Sequence, residues 1–175
     1  MPLATLPART AADADVDIKH CFRNVASSAW VITGTGSRGP VGFTAISVVS
    51  VSMEPALVSF NISRTSSSLS TIARSGSAAL HLLSEGQDDI ATRYARDRSK
   101  RFVHDGVWGF GAEGLPEIHG AASRLVVTIH DLVDAGDSLL VIGRVTSQVT
   151  NPNIRPLVHH AGEFVPVHRS NGASE

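Results

Sequence analysis

The chain has 175 residues, of which 42% are hydrophobic and 18% are charged, and its formal net charge at pH 7 is -1. This length and composition predict one folded domain with a hydrophobic core and exclude a disordered chain. The nearly neutral charge gives no whole-molecule attraction to nucleic acid or to an anionic membrane surface, so neither is expected as a partner.

Few features indicate targeting or cross-linking. The single cysteine, Cys21, excludes an intrachain disulfide framework and a cysteine-based zinc site. No apolar run approaches the ~18 residues needed to span a bilayer, and the N-terminal residues lack the pattern of a secretion signal. We therefore expect a cytoplasmic protein with a flexible arm over residues 1–14, a single domain over 15–168 and a flexible tail over 169–175.

Three short helices are predicted. The first lies within residues 15–25, where Ile18, Phe22 and Val25 recur at helical spacing, and Asp13 or Asp15 is available as its cap. The others are expected over residues 66–76, ended by Gly76, and over residues 85–97.

Strands account for most of the remaining chain. Most are predicted from runs with β-branched residues that are bounded by turn residues, and one, AALHLL, from a short apolar run typical of a buried strand. The predicted strands cover 29–35, 40–52 (as one strand or two), 56–62, 78–83, 124–132, 138–149 and, as a broken strand, 156–167. Since helices and strands do not alternate regularly, the pattern predicts a mainly β protein, a small barrel with helices covering its ends.

The loop GTGSRG (34–39) has the G-x-G-x-x-G spacing of dinucleotide-binding loops. A dinucleotide fingerprint lies between a strand and a helix, because the pyrophosphate rests on the helix N-terminus. Here Pro40 and another strand follow the loop. The lysine-bearing strand, H-R-D and D-F-G motifs of protein kinases are absent as well. The loop is therefore predicted to be a hairpin turn and not a nucleotide site.

A second stretch, NISRTSSS (61–68), is a better candidate for anion binding. It runs from a strand end to a helix start, where free backbone N–H groups, serine hydroxyls and Arg64 are available to an oxyanion. The residues alone favour the alternative, a serine-capped helix beside a solvated arginine.

Several hydroxyl groups also lie in the strand region GFTAISVVSVS (42–52). These are the side chains of Thr44, Ser47, Ser50 and Ser52. Hydroxyl groups on a buried strand need hydrogen-bond partners. The neighbouring backbone or a polar ligand lying along the strand would both provide them.

Ordered motifs over residues 20–165 resemble the flavin reductase-like family, whose members have an FMN-binding split barrel. The longest match is GFTAISVVSVSMEPALVSFNISRTSSSLSTI (42–72). The other matching segments follow in the family's order. They are GQDDIATRYA (86–95), RF (101–102), Trp108, GLPEIHGAAS (114–123), GDSLLVIGRV (136–145) and PLVHHAGEF (156–164).

The resemblance implies a mainly β split β-barrel and a homodimer with flavin near the subunit interface. It implies an NAD(P)H:flavin oxidoreductase that transfers hydride from NADH or NADPH to FMN, with FAD possible, and supplies reduced flavin to a flavin-dependent monooxygenase. The flavin would be held by Thr44, Ala45, Ile46, Ser47, Asn61, Ser63, Arg64, Ser66 and Ser67. The nicotinamide nucleotide would lie near Gly136, Asp137 and Ser138.

Two residues depart from the family pattern. Ser138 replaces a histidine, which bears on the preference for the nicotinamide nucleotide. His81 replaces an asparagine. Because Ser138 replaces that histidine, a non-enzymatic flavin- or haem-binding split-barrel protein, a carrier or sensor, is the alternative prediction.

Two further features carry weaker predictions. The basic run RYARDRSKR (93–101) is expected to be a solvated helix end, with a contact to dinucleotide phosphates as the alternative. The eight histidines are scattered without ligand spacing, so no metal site is predicted. No side-chain acid or base is proposed either, because hydride transfer to flavin is the chemistry of the flavin itself.

Overall fold

A computed structural model describes residues 17–167. The predicted arm over residues 1–14 and the predicted tail over 169–175 lie outside the described residues. So do both residues predicted to cap the first helix, Asp13 and Asp15. Among the helices of the described chain, none has the length and apolar character needed to cross a membrane.

Strands dominate the structure, as predicted. The strands are β1 (Ser27–Ser28), β2 (Trp30–Gly36), β3 (Gly39–Ala45), β4 (Val49–Met53), β5 (Ala56–Ser63), β6 (Ser77–Leu82), β7 (Trp108–Phe110), β8 (Pro116–Ile118), β9 (Ser123–Ala135), β10 (Ser138–Thr150), β11 (Leu157–His160) and β12 (Glu163–Pro166). The α-helices are α1 (Lys19–Arg23), α2 (Leu69–Ser75) and α3 (Asp88–Arg96), and a 3-10 turn covers Arg98–Lys100.

The central sheet has seven strands in the order β3-β2-β6-β9-β10-β5-β4, and every neighbouring pair is antiparallel. Its two edge strands, β3 and β4, are consecutive in the chain and are joined by residues 46–48 alone. Such a link spans at most ~14 Å between Ala45 and Val49, so the two edges of the sheet must approach each other. The sheet therefore curls into a barrel that is split between β3 and β4, which agrees with the predicted fold.

The GTGSRG segment forms a hairpin, as predicted. Strands β2 and β3 pair from Trp30 with Ala45 to Gly36 with Gly39, and Ser37 and Arg38 form the two-residue turn. Gly39 has φ of 100°, a conformation that glycine adopts without the strain a side chain would cause. The run 40–52 is divided between β3 and β4, so the prediction of a pair of strands is correct.

The sheet has two buried faces. Neighbouring residues of a strand point to opposite faces, and on β2 Ile32 belongs to one hydrophobic cluster while Val31 belongs to another. The first cluster also contains Phe60 and Val141. The second includes Tyr94 of α3, so α3 covers part of the sheet's second face.

Several details differ from the prediction. Helix α1 buries none of its residues, and Phe22 is 65% exposed. At the start of this helix, the Lys19 N–H donates to the Asp17 carboxylate at 2.9 Å. Strand β9 continues to Ala135, three residues beyond its predicted end, and pairs with β10 up to a tight turn at Gly136 and Asp137. The short strands β1, β7 and β8 were not predicted.

Candidate functional site

The site is built around the split of the barrel, where β3 ends. The Thr44 hydroxyl donates to the backbone carbonyl of Ala91 in α3 at 2.5 Å, and Ala45 is buried. Ile46, the first residue of the link, is 44% exposed. Thr44 and Ala45 are therefore held in place by the residues around them, whereas the apolar side chain of Ile46 is exposed at the split.

Ser47 and Asn61 are brought together across the two edges of the split. The Ser47 hydroxyl accepts the backbone N–H of Asn61 at 3.0 Å, so the link after β3 is held against β5. Asn61 itself is exposed. Two segments that the sequence analysis assigned to one ligand are thus in direct contact, although fourteen positions separate them in the chain.

The end of β5 lies beside the β9–β10 turn. Ser63 pairs with Ser138 in the sheet, and the Arg64 N–H donates to the Asp137 carbonyl at 3.0 Å. The Ser138 hydroxyl donates to the Asp137 carboxylate at 3.0 Å. The structure therefore places the residues predicted for flavin and for the nicotinamide nucleotide side by side.

The Arg64 side chain is directed to this same turn. Its Nε donates to the Gly136 carbonyl at 2.8 Å, and its guanidinium forms an ion pair with Asp134. Both ends of the ion pair are substantially exposed, at 43% for Arg64 and 75% for Asp134, so it contributes little to stability. It does hold the guanidinium against β9 and β10.

The serine run leads into α2. The Ser66 N–H donates to the Ser63 carbonyl at 2.9 Å, and the Ser66 hydroxyl accepts the Ser68 N–H at 3.3 Å. Ser68 is buried and its hydroxyl donates to the Gly42 carbonyl at 3.3 Å. Ser67 is exposed and lines a cavity beside β3 and α2. The serines therefore fix the segment before α2 against β3.

A cavity of about 160 Å³ lies between β3, α2 and the segment after α3. Three arginines line it, Arg38, Arg98 and Arg101, together with Ser67 and other hydroxyl-bearing residues. Arg38 belongs to the GTGSRG turn, which was predicted not to be a nucleotide site. Arg98 and Arg101 belong to the basic run 93–101, for which contact with dinucleotide phosphates was the alternative prediction.

Arg101 is the best anchored of the three arginines. Its Nη1 donates to the Gly42 carbonyl at 2.7 Å, while its Nε has no partner among the described residues. Burial lowers the pKa of this guanidinium, and the neighbouring Arg98 lowers it further. Burial and like charge both disfavour the charged form, so an anion in the cavity would stabilise Arg101.

An aromatic cluster supports this wall of the cavity. Phe102 contacts both Tyr94 and Trp108 edge to face, with ring centroids 5.4 and 5.0 Å apart. Tyr94 is fully buried, and burial raises the pKa of its hydroxyl. Trp108 Nε1 donates to the Val103 carbonyl at 2.9 Å. The segment carrying Arg98 and Arg101 is therefore packed against α3 by its aromatic neighbours.

His81 lies elsewhere, on β6 and opposite Val31 of β2. It is fully buried, and its Nδ1 lies 3.0 Å from the Val31 carbonyl, which fixes Nδ1 as the donor. Burial lowers its pKa to about 4, so the ring is neutral at pH 7. Among residues 17–167, no three histidine, cysteine, aspartate or glutamate side chains are grouped closely enough to hold a metal ion.

Comparisons with known proteins identify the relatives of this chain. The family described as "Flavin reductase like domain" matches residues 22–168. An NADH:FMN oxidoreductase of Rhodococcus qingshengii is 39% identical over 152 residues, which are 85% of this chain and 79% of the relative. The reductase subunit HsaB of a flavin-dependent monooxygenase from Mycobacterium tuberculosis is 31% identical over 140 residues, 78% of this chain and 74% of the relative.

A solved structure shows the same fold. The NADH:FAD oxidoreductase of Streptomyces globisporus C-1027, in complex with NAD and FAD fragments, superposes with a TM-score of 0.81 at 28% identity, covering 90% of this chain and 93% of that one. The family match extends over most of the chain and includes every residue predicted for the site. The chain belongs to the flavin reductase-like domain family.

Proposed function

We propose that this protein is an NAD(P)H:flavin oxidoreductase that uses NADH with FMN as its preferred pair and supplies reduced flavin to a monooxygenase. The observation that carries the proposal is the 39% identity with an NADH:FMN oxidoreductase over 85% of this chain. FAD and NADPH are the alternative substrates. The NAD and FAD fragments in the Streptomyces globisporus structure support binding of both nucleotides by this fold.

The proposed flavin site extends from the split along the end of β5 to the serine run before α2. Thr44, Ala45, Ile46 and Ser47 would lie along the ring and ribityl chain. Asn61, Ser63, Arg64, Ser66 and Ser67 would complete the site. The donor chemistry fits such a ligand, because hydroxyl and backbone N–H groups bind ribityl hydroxyls and arginines bind phosphate.

Gly136, Asp137 and Ser138 are proposed to lie against the nicotinamide nucleotide. Support comes from the pairing of Ser63 with Ser138 and from the Arg64 hydrogen bond to Gly136. Because these contacts tie the turn to β5, a nucleotide bound there lies next to the flavin. Arg64 would then hold the flavin site and the nicotinamide-nucleotide site in a fixed position relative to each other.

The mechanism follows from binding and orientation. When bound, flavin supplies the ring nitrogen that accepts hydride from the reduced nicotinamide. The protein's task is to hold both rings at near-attack distance. Thr44, fixed by Ala91, and Ser47, fixed by Asn61, give the split a rigid wall for that purpose. No side-chain acid or base is required.

The proposed partners are a flavin-dependent monooxygenase and a second copy of this chain, acting in the cytoplasm where reduced nicotinamide nucleotides are available. The monooxygenase is supported by the HsaB relative, which is the reductase subunit of such a system. The homodimer is supported by the exposed apolar residues of the edge strand β4, which are considered below.

A steady-state assay tests the proposed function. Purified protein is mixed with NADH or NADPH and with FMN, FAD or no flavin, and the nicotinamide absorbance band is followed. We expect oxidation only when flavin is present, continuing through many equivalents of flavin. Tight flavin binding without oxidation of either nucleotide would instead indicate a carrier or sensor.

A further inference from the structure

The cavity between β3, α2 and the segment after α3 is lined by positive charge and hydroxyl groups. The guanidinium groups belong to Arg38, Arg98 and Arg101, and the hydroxyl groups include those of Ser67, Ser70 and Thr71. Among the described residues that line it there is no aspartate or glutamate. A protein with a net charge of -1 thus concentrates three arginines around one small space.

Two of these three arginines have no hydrogen-bond or ion-pair partner among the described residues. Within residues 17–167, the guanidinium groups of Arg38 and Arg98 form no hydrogen bond or ion pair with the protein. Arg101 donates to the Gly42 carbonyl, and its Nε is left without a partner in the described chain. Asp97, close enough to interact with Arg101, is already bonded to Ser99 and Lys100. Like charges brought together in this way repel unless an anion joins them.

The size and donors of the cavity indicate the class of anion. Its volume is about 160 Å³. It is smaller than the ~300–1,000 Å³ of pockets that enclose a whole ligand. It therefore suits one substituent of a larger molecule. Guanidinium forks and hydroxyl donors match the tetrahedral oxygens of a phosphate group.

The cavity adjoins the proposed flavin site. Ser67 belongs to both, and Gly42, whose carbonyl binds Arg101 and Ser68, precedes Thr44 by two residues on β3. We infer that Arg38, Arg98 and Arg101 bind a phosphate group of a nucleotide substrate. This inference rests on the proposed flavin reductase function and assigns one of its binding groups.

The assignment gives Arg38 and Arg64 different roles. Arg64 is held by Gly136 and Asp134 at the β9–β10 turn, whereas Arg38 reaches the cavity from the GTGSRG turn. Replacing Arg38 removes a phosphate ligand without breaking a hydrogen bond within the described protein. It is therefore the cleanest variant, and Arg98→Gln is a second variant from a separate segment.

Fluorescence titration with FMN and with riboflavin, which lacks the phosphate, tests the inference for the flavin. Arg38→Gln and Arg98→Gln should each raise the Kd of FMN by roughly tenfold, the usual effect of losing one charge-assisted hydrogen bond. Both should leave the Kd of riboflavin unchanged. Arg144→Gln is the matched control, since this exposed arginine of β10 does not line the cavity and should alter neither Kd.

A second arm identifies a phosphate of the nicotinamide nucleotide. With riboflavin as the electron acceptor, the flavin contributes no phosphate, so a roughly tenfold rise in KM for NADH or NADPH in Arg38→Gln would assign the cavity to that nucleotide. A rise in either arm supports the inference and names the source of the phosphate.

The inference is overturned if both variants leave both arms unchanged, or if they weaken FMN and riboflavin equally. Wild-type protein separates this failure from that of the proposed function. Wild-type turnover combined with insensitive arginine variants overturns the phosphate assignment alone. Wild-type protein that binds no flavin and oxidises no nicotinamide nucleotide overturns both.

Discussion

Gly42 is the residue on which β3, α3 and the arginine cavity converge. A side chain at this position would place its Cβ 3.0 Å from the Ile32 carbonyl oxygen and from Tyr94 Cε1, and 3.2 Å from Phe102 Cζ. Contacts this short with backbone and with buried rings cannot be relieved by a side-chain rotation. The glycine of the GFTA segment is therefore required by packing.

Gly42→Ala should destabilise the protein by ~1–3 kcal/mol, the usual cost of overpacking a core. Urea unfolding measures this change in the free energy of unfolding. Gly36→Ala is the control, because its Cβ would meet the Thr71 side chain at 3.0 Å and that side chain is able to rotate. Equal stability of Gly42→Ala and the wild type would show that β3 and α3 are less tightly packed than the structure indicates.

His81 gives the protein a specific sensitivity to acid. Its folded-state pKa, about 4 against an ordinary value of 6.5, is lowered by burial. Between these two pH values the unfolded chain binds a proton that the folded protein excludes. Stability is therefore lost as the pH falls from 6.5 toward 4.

His81→Asn should remove this pH dependence. Between pH 7 and pH 5 the histidine contributes a loss of about 2 kcal/mol in unfolding free energy, and the asparagine variant should lose correspondingly less than the wild type over that range. Urea unfolding at both pH values measures the difference, in which any pH-independent cost of the substitution cancels. An identical pH dependence in the two proteins would mean that the folded-state pKa of His81 is not lowered by burial.

At the scale of elements, the local sequence predicted most of the long strands and the turns between them. Runs with β-branched residues indicated β2, β5, β9 and β10, the apolar run AALHLL indicated β6, and Pro40 with the strand after it correctly indicated that GTGSRG forms a hairpin. What local pattern could not show was where that hairpin lies. Arg38 reaches a cavity lined by α2, which begins about thirty residues later in the chain. That approach depends on tertiary packing, and no spacing rule encodes it.

The same limit applies to helix α1. Ile18, Phe22 and Val25 predicted a helix with one apolar face, yet these side chains are 57%, 65% and 45% exposed. Periodicity reports which residues share a face and does not report what the face contacts. In the candidate site, the segments were predicted from their resemblance to the family. The pairing of Ser63 with Ser138 became visible only when β5 and β10 were adjacent.

At the scale of the whole molecule, the edge strand β4 carries an exposed apolar surface. Val49, Val51 and Met53 are 58%, 51% and 82% exposed. Within residues 17–167, β4 pairs with a neighbour, β5, on one side alone. An apolar edge strand with free backbone groups is a template for association. Ile46 and Ser47 lie in the link that leads into β4, so a second copy seated on this edge would lie beside the proposed flavin site.

Adding charge to this edge should therefore dissociate the protein and weaken flavin binding together. In sedimentation at micromolar concentration, the wild type should run at about twice the 18.4 kDa chain mass, and a Val49→Lys, Met53→Lys double variant should run as a monomer. Because both side chains are already exposed, the variant should keep its far-UV circular dichroism. Val103→Lys, a change at another exposed valine (40%), is the control and should stay dimeric.

If the wild type is monomeric, the prediction of a homodimer is wrong. If the double variant stays dimeric, a different surface forms the interface. If it dissociates and binds FMN as tightly as the wild type, the partner subunit contributes nothing to the flavin site.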